Sequence, residues 1–227
     1  MAHSRALAPA LAPSTDALTA DMVGIGMLVG GEGSRDPNIE DTLLFASVEG
    51  MERADLRVLA VLVTWFGVHS GRVNADRLTR LVALQESRRV RAFWSALAHW
   101  RAADRRFTRL ARGYRGRRVD LLTAGTDFQV GRHGEDPRLA GSNLRAPANV
   151  LRDRPSDVLT PAELAGRHSD YRWRLAIGPT YRADMWSALE RHPALSAAAL
   201  ARATYGSFAT AWQTRRDFRV WRTAHGS

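Results

Sequence analysis

Guanidinium groups are the chemistry that this chain concentrates. Eleven arginines and a single acid, Asp104, fall between Arg88 and Arg118, a net charge of +10 in 31 residues and equal to the surplus of the whole 227-residue chain. A guanidinium forks onto two oxygens of a phosphate or carboxylate at once and stays charged at any ordinary pH, so such a stretch is built for a polyanion or an acidic surface. Residues 1–87 net −4, residues 119–180 net zero and residues 181–227 net +4. Two separated positive zones on an otherwise balanced surface make nucleic acid the first partner to consider. All 33 basic residues are arginine, which together with heavy alanine use fits a GC-rich genome. Codon bias raises arginine everywhere, however, and does not confine a net +10 to one stretch.

Signals for catalysis are thin. With no cysteine, thiol nucleophiles, disulfides and cysteine-bound metals are excluded, and a reducing, cytoplasmic location fits. The seven histidines are scattered, with no pair at HExxH spacing. Gly125 to Phe128 with Glu135 and Asp136 could be drawn as a carboxylate cluster for a metal-dependent nuclease, but the spacing fits no phosphoryl-transfer template. Gly24, Gly26, Gly30 and Gly31 lack the strand-and-helix setting of a phosphate loop. The expectation is a protein without catalysis, cofactor or metal. Val58 to Val68, the longest strongly apolar run, is too short to cross a bilayer and reads as a buried helix, so no membrane span is expected.

The elements that must position the arginines read as helices. Residues 1–38, rich in Ala, Pro and Gly, show no sustained period and are expected to form a flexible arm, its start a disordered leader. Helical periods begin at Ile39 and cover Thr42–Val48 and Arg53–His69, then Ala75–Leu84 behind an Asn74 cap and a fourth helix from a Ser87 cap to Trp100. In that fourth helix Val90, Phe93, Trp94, Leu97 and Trp100 form an apolar stripe, with Arg88, Arg91, Ser95 and His99 opposite. Phe107 and Leu110 continue the pattern on a short helix that also carries Arg105, Arg106, Arg109 and Arg112. These aromatics therefore read as core, not as platforms for bases. Residues 119–158 read as an irregular connector with a short strand at Asp127–Val130. Thr160 and Glu163 flank Pro161 as a capping box that restarts the helices, the next running from Asp170 to Ile177.

From Thr180 the pattern is helix, break, helix, tight turn, helix. A Thr180 cap opens a helix carrying Tyr181, Met185 and Leu189, a second spans Ala197–Ala203, and a Ser207 cap opens the last, whose expected buried stripe is Phe208, Ala211, Trp212 and Phe218. The segment RADMWSALERHPALSAAALARATYGSFATAWQTRRDF resembles the helix-turn-helix of bacterial winged-helix transcriptional regulators of the arsenic-repressor-like and multiple-antibiotic-resistance-like kind. Ala201 matches the small residue where the two helices touch, and Gly206 the turn glycine, though one place late, with Tyr205 where the glycine is usual. The resemblance implies that the last helix enters the major groove N-terminus first, with Ser207, Thr210, Gln213 and Thr214 towards base edges. Arg202, Arg215, Arg216, Arg219 and Arg222 would then neutralise phosphates, as would Arg88, Arg91, Arg105, Arg106, Arg109 and Arg112 of the band. Asp217 is expected to pair with a neighbouring arginine. The helices from Arg53 to Trp100 repeat the shape loosely, with Arg88 and Arg91 opening a possible second reading helix.

The sequence thus predicts a mainly α fold: an arm at 1–38, an arginine-rich helical bundle at 39–118, a connector at 119–158 and a helix-turn-helix, winged-helix-like domain at 159–227. The expected function is sequence-specific binding of double-stranded DNA by a transcriptional regulator, as a homodimer. The alternatives are an antitoxin-like subunit that grips a partner protein through its N-terminal helices, and a structural or RNA-binding helical protein.

Overall fold

The computed structural model describes residues 12–225; the expected leader before Ala12 lies outside them. Of the chain, 62% is helical, in twelve α-helices among the described residues, and the only paired strands are β1 (Val119–Asp120) and β2 (Leu144–Arg145), two residues each and parallel. The mainly α expectation holds.

Two apolar cores organise the helices. The first draws on residues from Leu18 to Tyr171, and its centre is α2 (Ile39–Glu52), α3 (Leu56–His69), α4 (Ala75–Ala83) and α5 (Arg88–Trp100). These helices start where the sequence supplies caps: Asn38, Asp55, Asn74 and Ser87 each accept a backbone N–H from the first turn. At Gly50 the α2 backbone comes so close to α3 that an added Cβ would sit 2.5 Å from Leu59. Phe107, Phe66, Trp94 and Phe93 pack edge to face in a row with centroids 5.3–5.6 Å apart. The indoles that point inward find partners, Trp94 Nε1 donating to Ser47 Oγ at 2.8 Å and Trp65 Nε1 to the Ile25 carbonyl at 2.7 Å.

Ile25 belongs to the segment expected to be a flexible arm. Within it, α1 (Thr15–Gly24) is capped by Ser14, and Leu18, Met22, Ile25 and Met27 are buried in the first core. Met27 bridges Val158, and Leu159 N donates to the Gly26 carbonyl at 2.9 Å, so residues far apart in sequence supply each other's backbone partners. Leu18, Met22 and Ile25 do fall at helical four- and three-residue steps, but one short helix set among Ala, Pro and Gly is too brief for that period to stand out from sequence alone. The connector likewise contributes Leu121, Leu139, Leu144, Leu151 and Val158 to the same core. Its expected strand at Asp127–Val130 is instead part of helix α7 (Thr126–His133), bracketed by Gly125 and Gly134 at φ +76° and +77°. Those left-handed residues turn the chain sharply at both ends.

Between α5 and the connector lies α6 (Thr108–Ala111). Ser95, expected on the solvated side of α5, is buried and donates to the Ala111 carbonyl at 2.6 Å. From Ala92 to Ala98 every residue of α5 is buried, so α5 is a central core helix.

The second core joins α10 (Tyr181–Arg191), α11 (Ala197–Ala203) and α12 (Phe208–His225), with Met185, Trp186, Leu189, Leu200, Ala211 and Phe218 inside. α8 (Pro161–Arg167), with the expected capping box between Thr160 and Glu163, packs Leu164 into the first core, and α9 (Ser169–Ile177) is shared: Tyr171 enters the first core while Trp173 packs on the second.

Arg174, one residue past Trp173, has no solvent exposure and forks twice. Its NH1 and NH2 reach Glu40 of α2 at 2.6 and 2.9 Å, and its Nε and NH2 reach Asp184 of α10 at 2.7 and 3.0 Å. Burial works against the Glu40 charge, but Arg174, Arg77 and the Asn74 N–H together hold its carboxyl below the usual range. Asp184 has Asp170 and Glu40 as like-charged neighbours, and burial pushes it up to about 6 against the pull of Arg174. Removing one member of a buried, hydrogen-bonded charge group leaves the others uncompensated.

Arg174→Ala is therefore expected to cost about 3–5 kcal/mol in chemical denaturation, well beyond a lost surface pair. A loss under about 1 kcal/mol would show that the charge cluster is not what joins the two cores. A second measurement concerns His69, whose Nε2 donates to the Leu159 carbonyl at 2.9 Å while Nδ1 accepts from Tyr171 Oη at 2.7 Å, the pattern of a neutral ring. Burial pushes it down to about 4. The folded value lies below the unfolded one, so the stability it carries is complete above pH 6.5 and is lost as pH falls through about 4. His69 should remain neutral at pH 5.5 by NMR titration; protonation near 6.5 would contradict this assignment.

Candidate nucleic-acid interface

The arginine band divides once its contacts are seen. Arg89 donates to the carbonyls of Met51, Asp120 and Leu121, Arg101 to Ser70 and the Gly67 carbonyl, and Arg106 to Asp104 and the carbonyls of Ser70 and Val73. Arg118 forks onto Glu135 at 2.9 and 2.6 Å. These four brace the fold, and Arg106, expected at phosphate, is among them. Arg109 has a looser pairing, 3.7 Å from Asp76. Among the described residues Arg88, Arg105, Arg112, Arg115 and Arg117 are exposed and their guanidinium groups make no hydrogen bond or ion pair. Arg91 is half-buried, its Nε without a partner. Arg91 and Arg88 lie one and two turns before Ser95 along α5, the residue that bonds the Ala111 carbonyl of α6. A cleft of about 440 Å³, lined by Asn74, Asp76, Arg106, Arg109, Thr180 and Tyr181, separates this band from α10.

On the second core the turn between α11 and α12 departs from glycine-based geometry in an instructive way. Tyr205, where the helix-turn-helix pattern has its glycine, stands at φ +56°, the left-handed conformation that glycine usually supplies. The strain is offset by contacts to the first core. The Arg77 guanidinium lies over the Tyr205 ring, 3.6 Å from its centroid, and Arg77 is itself buried and paired with Asp41. Burial pushes Asp41 up to about 6 despite Arg77, with Tyr205 also hydrogen-bonding it. Gly206 then sits against Met185 of α10, where a Cβ would collide. The turn is thus clamped between both cores.

Of the four side chains expected at base edges, three are occupied. Ser207 Oγ caps α12 by accepting from Thr210 N at 3.0 Å and lies 2.6 Å from Thr210 Oγ1. Thr214 is 0% exposed and donates to the Thr210 carbonyl at 2.7 Å, so it packs inward and is corrected out of the reading set. Gln213 alone is exposed with no hydrogen bond among the described residues. The expected buried stripe is corrected as well. Ala211, Thr214 and Phe218 face the core, with Trp221 in ring contact with Trp173, Trp186 and Phe218, whereas Phe208 and Trp212 are 60% and 53% exposed. Hydrophobicity ranks Trp212 above Thr214 as a core residue; a threonine whose hydroxyl bonds the preceding turn pays no such penalty, and the register rotates by about one residue.

Arg215 is half-buried, while Arg216, Arg219 and Arg222 are exposed, as is Arg202 on α11. Asp217, the one acid on α12, is drawn away by Arg182 at 3.0 Å and lies 3.5 Å from Arg216. No strand follows α12 among the described residues. No group of side chains among the described residues could hold a metal ion, and no helix among them is long and apolar enough to cross a membrane.

Tyr205→Gly removes the φ strain yet is expected to lower stability by about 1–2 kcal/mol, because the Arg77 stack and the Asp41 hydrogen bond are lost together. A rise in stability would show that backbone strain, not the ring contact, dominates at this turn. No protein-family model, curated protein or solved structure matches this chain.

Proposed function

We propose that the protein binds double-stranded DNA sequence-specifically, as a transcriptional regulator of the bacterial helix-turn-helix kind, with α12 as the helix that enters the major groove. The observation that carries this reading is the charge on the outer side of α12. Arg216, Arg219 and Arg222 stand exposed there, and the helix's one acid is held by Arg182. Gln213, with a free amide, has the donor and acceptor needed to bond an adenine edge in two places. Arg202 and Arg215 flank it towards the phosphates. The unpaired arginines of the band add affinity without reading sequence. Two such helices acting on a two-fold related site would require a homodimer. No enzymatic step is part of this reading.

A second reading, an antitoxin-like subunit that holds an acidic partner protein, draws on one specific observation: the unpaired arginines Arg88, Arg105, Arg112, Arg115 and Arg117 all lie on the band before residue 118, none of them on α12.

Selection of bound duplexes from a random pool decides between them, since the regulator enriches a sequence and the partner-binding subunit does not. In titrations at increasing salt, each phosphate contact contributes about 0.9 to the slope of log affinity against log salt, so replacing Arg105, Arg109 and Arg112 together with glutamine should flatten the slope by about 2–3. Gln213→Ala should change the enriched sequence while leaving non-specific affinity nearly intact, whereas Thr214→Ala should lower stability alone. Absence of binding to any duplex at low salt would overturn the DNA reading.

A further inference from the structure

The outer face of α12 carries more than charge. Phe208 and Trp212 lie one turn apart and are more than half exposed, a costly placement for two large aromatics. Neither ring packs in the second core, and neither makes a ring contact with another aromatic among the described residues. Trp212 instead lies beneath Arg216, with the guanidinium 5.9 Å from the ring centroid, so the aromatic row runs directly into the arginine row. Gln213 stands beside them on the same exposed side.

A second copy of this chain is a poor occupant for that face, because Arg216 and Arg219 of one copy would meet those of the other, and Asp217, the one acid on α12, is already shared between Arg182 and Arg216. A ligand that presents negative charge around an apolar centre fits. The major groove has this character where thymine occurs, its 5-methyl group lying between two rows of phosphates. Four residues of helix rise about 6 Å, against about 3.4 Å per base along one strand, so the two rings stand about two base steps apart.

We propose that Phe208 and Trp212 are specificity-determining residues that read the thymine 5-methyl group, so that the target is a duplex with thymines about two steps apart. This rests on the DNA-binding reading above and deepens it: base choice comes from apolar contact beside Gln213, not from the hydroxyls of Ser207, Thr210 and Thr214.

The test replaces each thymine of the selected duplex with uracil, which removes the methyl and leaves every hydrogen-bonding group in place. The full-length protein should lose about fourfold in affinity per contacted methyl, the equivalent of about 0.8 kcal/mol for one buried carbon. Phe208→Ala and Trp212→Ala, which remove exposed side chains and should keep the wild-type circular dichroism and melting temperature, should each become indifferent to one uracil position. Trp212→Phe should retain the sensitivity. A selected duplex bound equally well with uracil at every position would overturn the proposal while leaving sequence-specific DNA binding intact. Tighter binding to single strands than to duplex would overturn it too, assigning the rings to base stacking. If no duplex binds at all, the underlying reading falls along with it.

Discussion

One guanidinium holds the architecture together. Arg174 arises from α9, which puts Tyr171 into the first apolar core and packs Trp173 on the second, and it binds Glu40 on one side and Asp184 on the other with two hydrogen bonds each. A charge so deeply buried is costly unless every donor is used, and here the remaining capacity of NH1 is taken by the Arg72 carbonyl at 3.1 Å. Glu40 in turn accepts from Asn74 N at 2.8 Å and lies 4.0 Å from Arg77. Arg77 carries the chain of contacts to Asp41 and to the ring of Tyr205, at the turn that introduces α12. The orientation of α12 relative to the first core is thus set by directional, charge-assisted bonds more than by apolar packing, which would tolerate rotation.

That arrangement explains why the turn can do without glycine at its left-handed position. In an isolated trihelical unit a tyrosine at φ +56° would only add strain. Here the same conformation projects the ring across the junction onto Arg77, and the surrounding structure compensates. The junction is also rich in acids. Asp36, Asp170 and Asp184 line a cavity of about 370 Å³ with Arg191 and Tyr205, and Asp36 bonds Ser169 N at 2.6 Å. Acids thus gather at the seam around Arg174, Arg77 and Arg191, while other arginines stand exposed on two surfaces.

Arginine does two jobs in this protein, and only contacts distinguish them. Arg89, Arg101 and Arg106 close off backbone carbonyls at the ends and crossings of helices, where their several donors satisfy more than one acceptor. Arg88, Arg105, Arg112, Arg115 and Arg117 serve nothing inside the molecule. The +10 stretch thus carries a smaller outward charge than its composition implies, and α12, with a modest local surplus, adds the exposed guanidinium groups of Arg216, Arg219 and Arg222.

Local signals determined much of this fold. Caps at Asn74, Ser87, Thr160 and Ser207 and the three- and four-residue periods between them are short-range properties of the chain, and the helices they predict are present, although Thr180 opens α10 without a side-chain capping bond. The buried aromatics of α5 and the concentration of arginine were equally legible. What the tertiary structure alone decided depends on partners distant in sequence. α1 is ordered because Ile25 and Met27 meet Trp65 and Val158, and the connector is core because its leucines meet α5 and α3. The register of α12 follows from what α10 and α9 present to it, so Thr214 turned inward and Trp212 outward against the rank of their hydrophobicities. Charge along a sequence says how many guanidinium groups there are; which of them remain free is settled by carbonyls and carboxylates that only folding brings within about 3 Å.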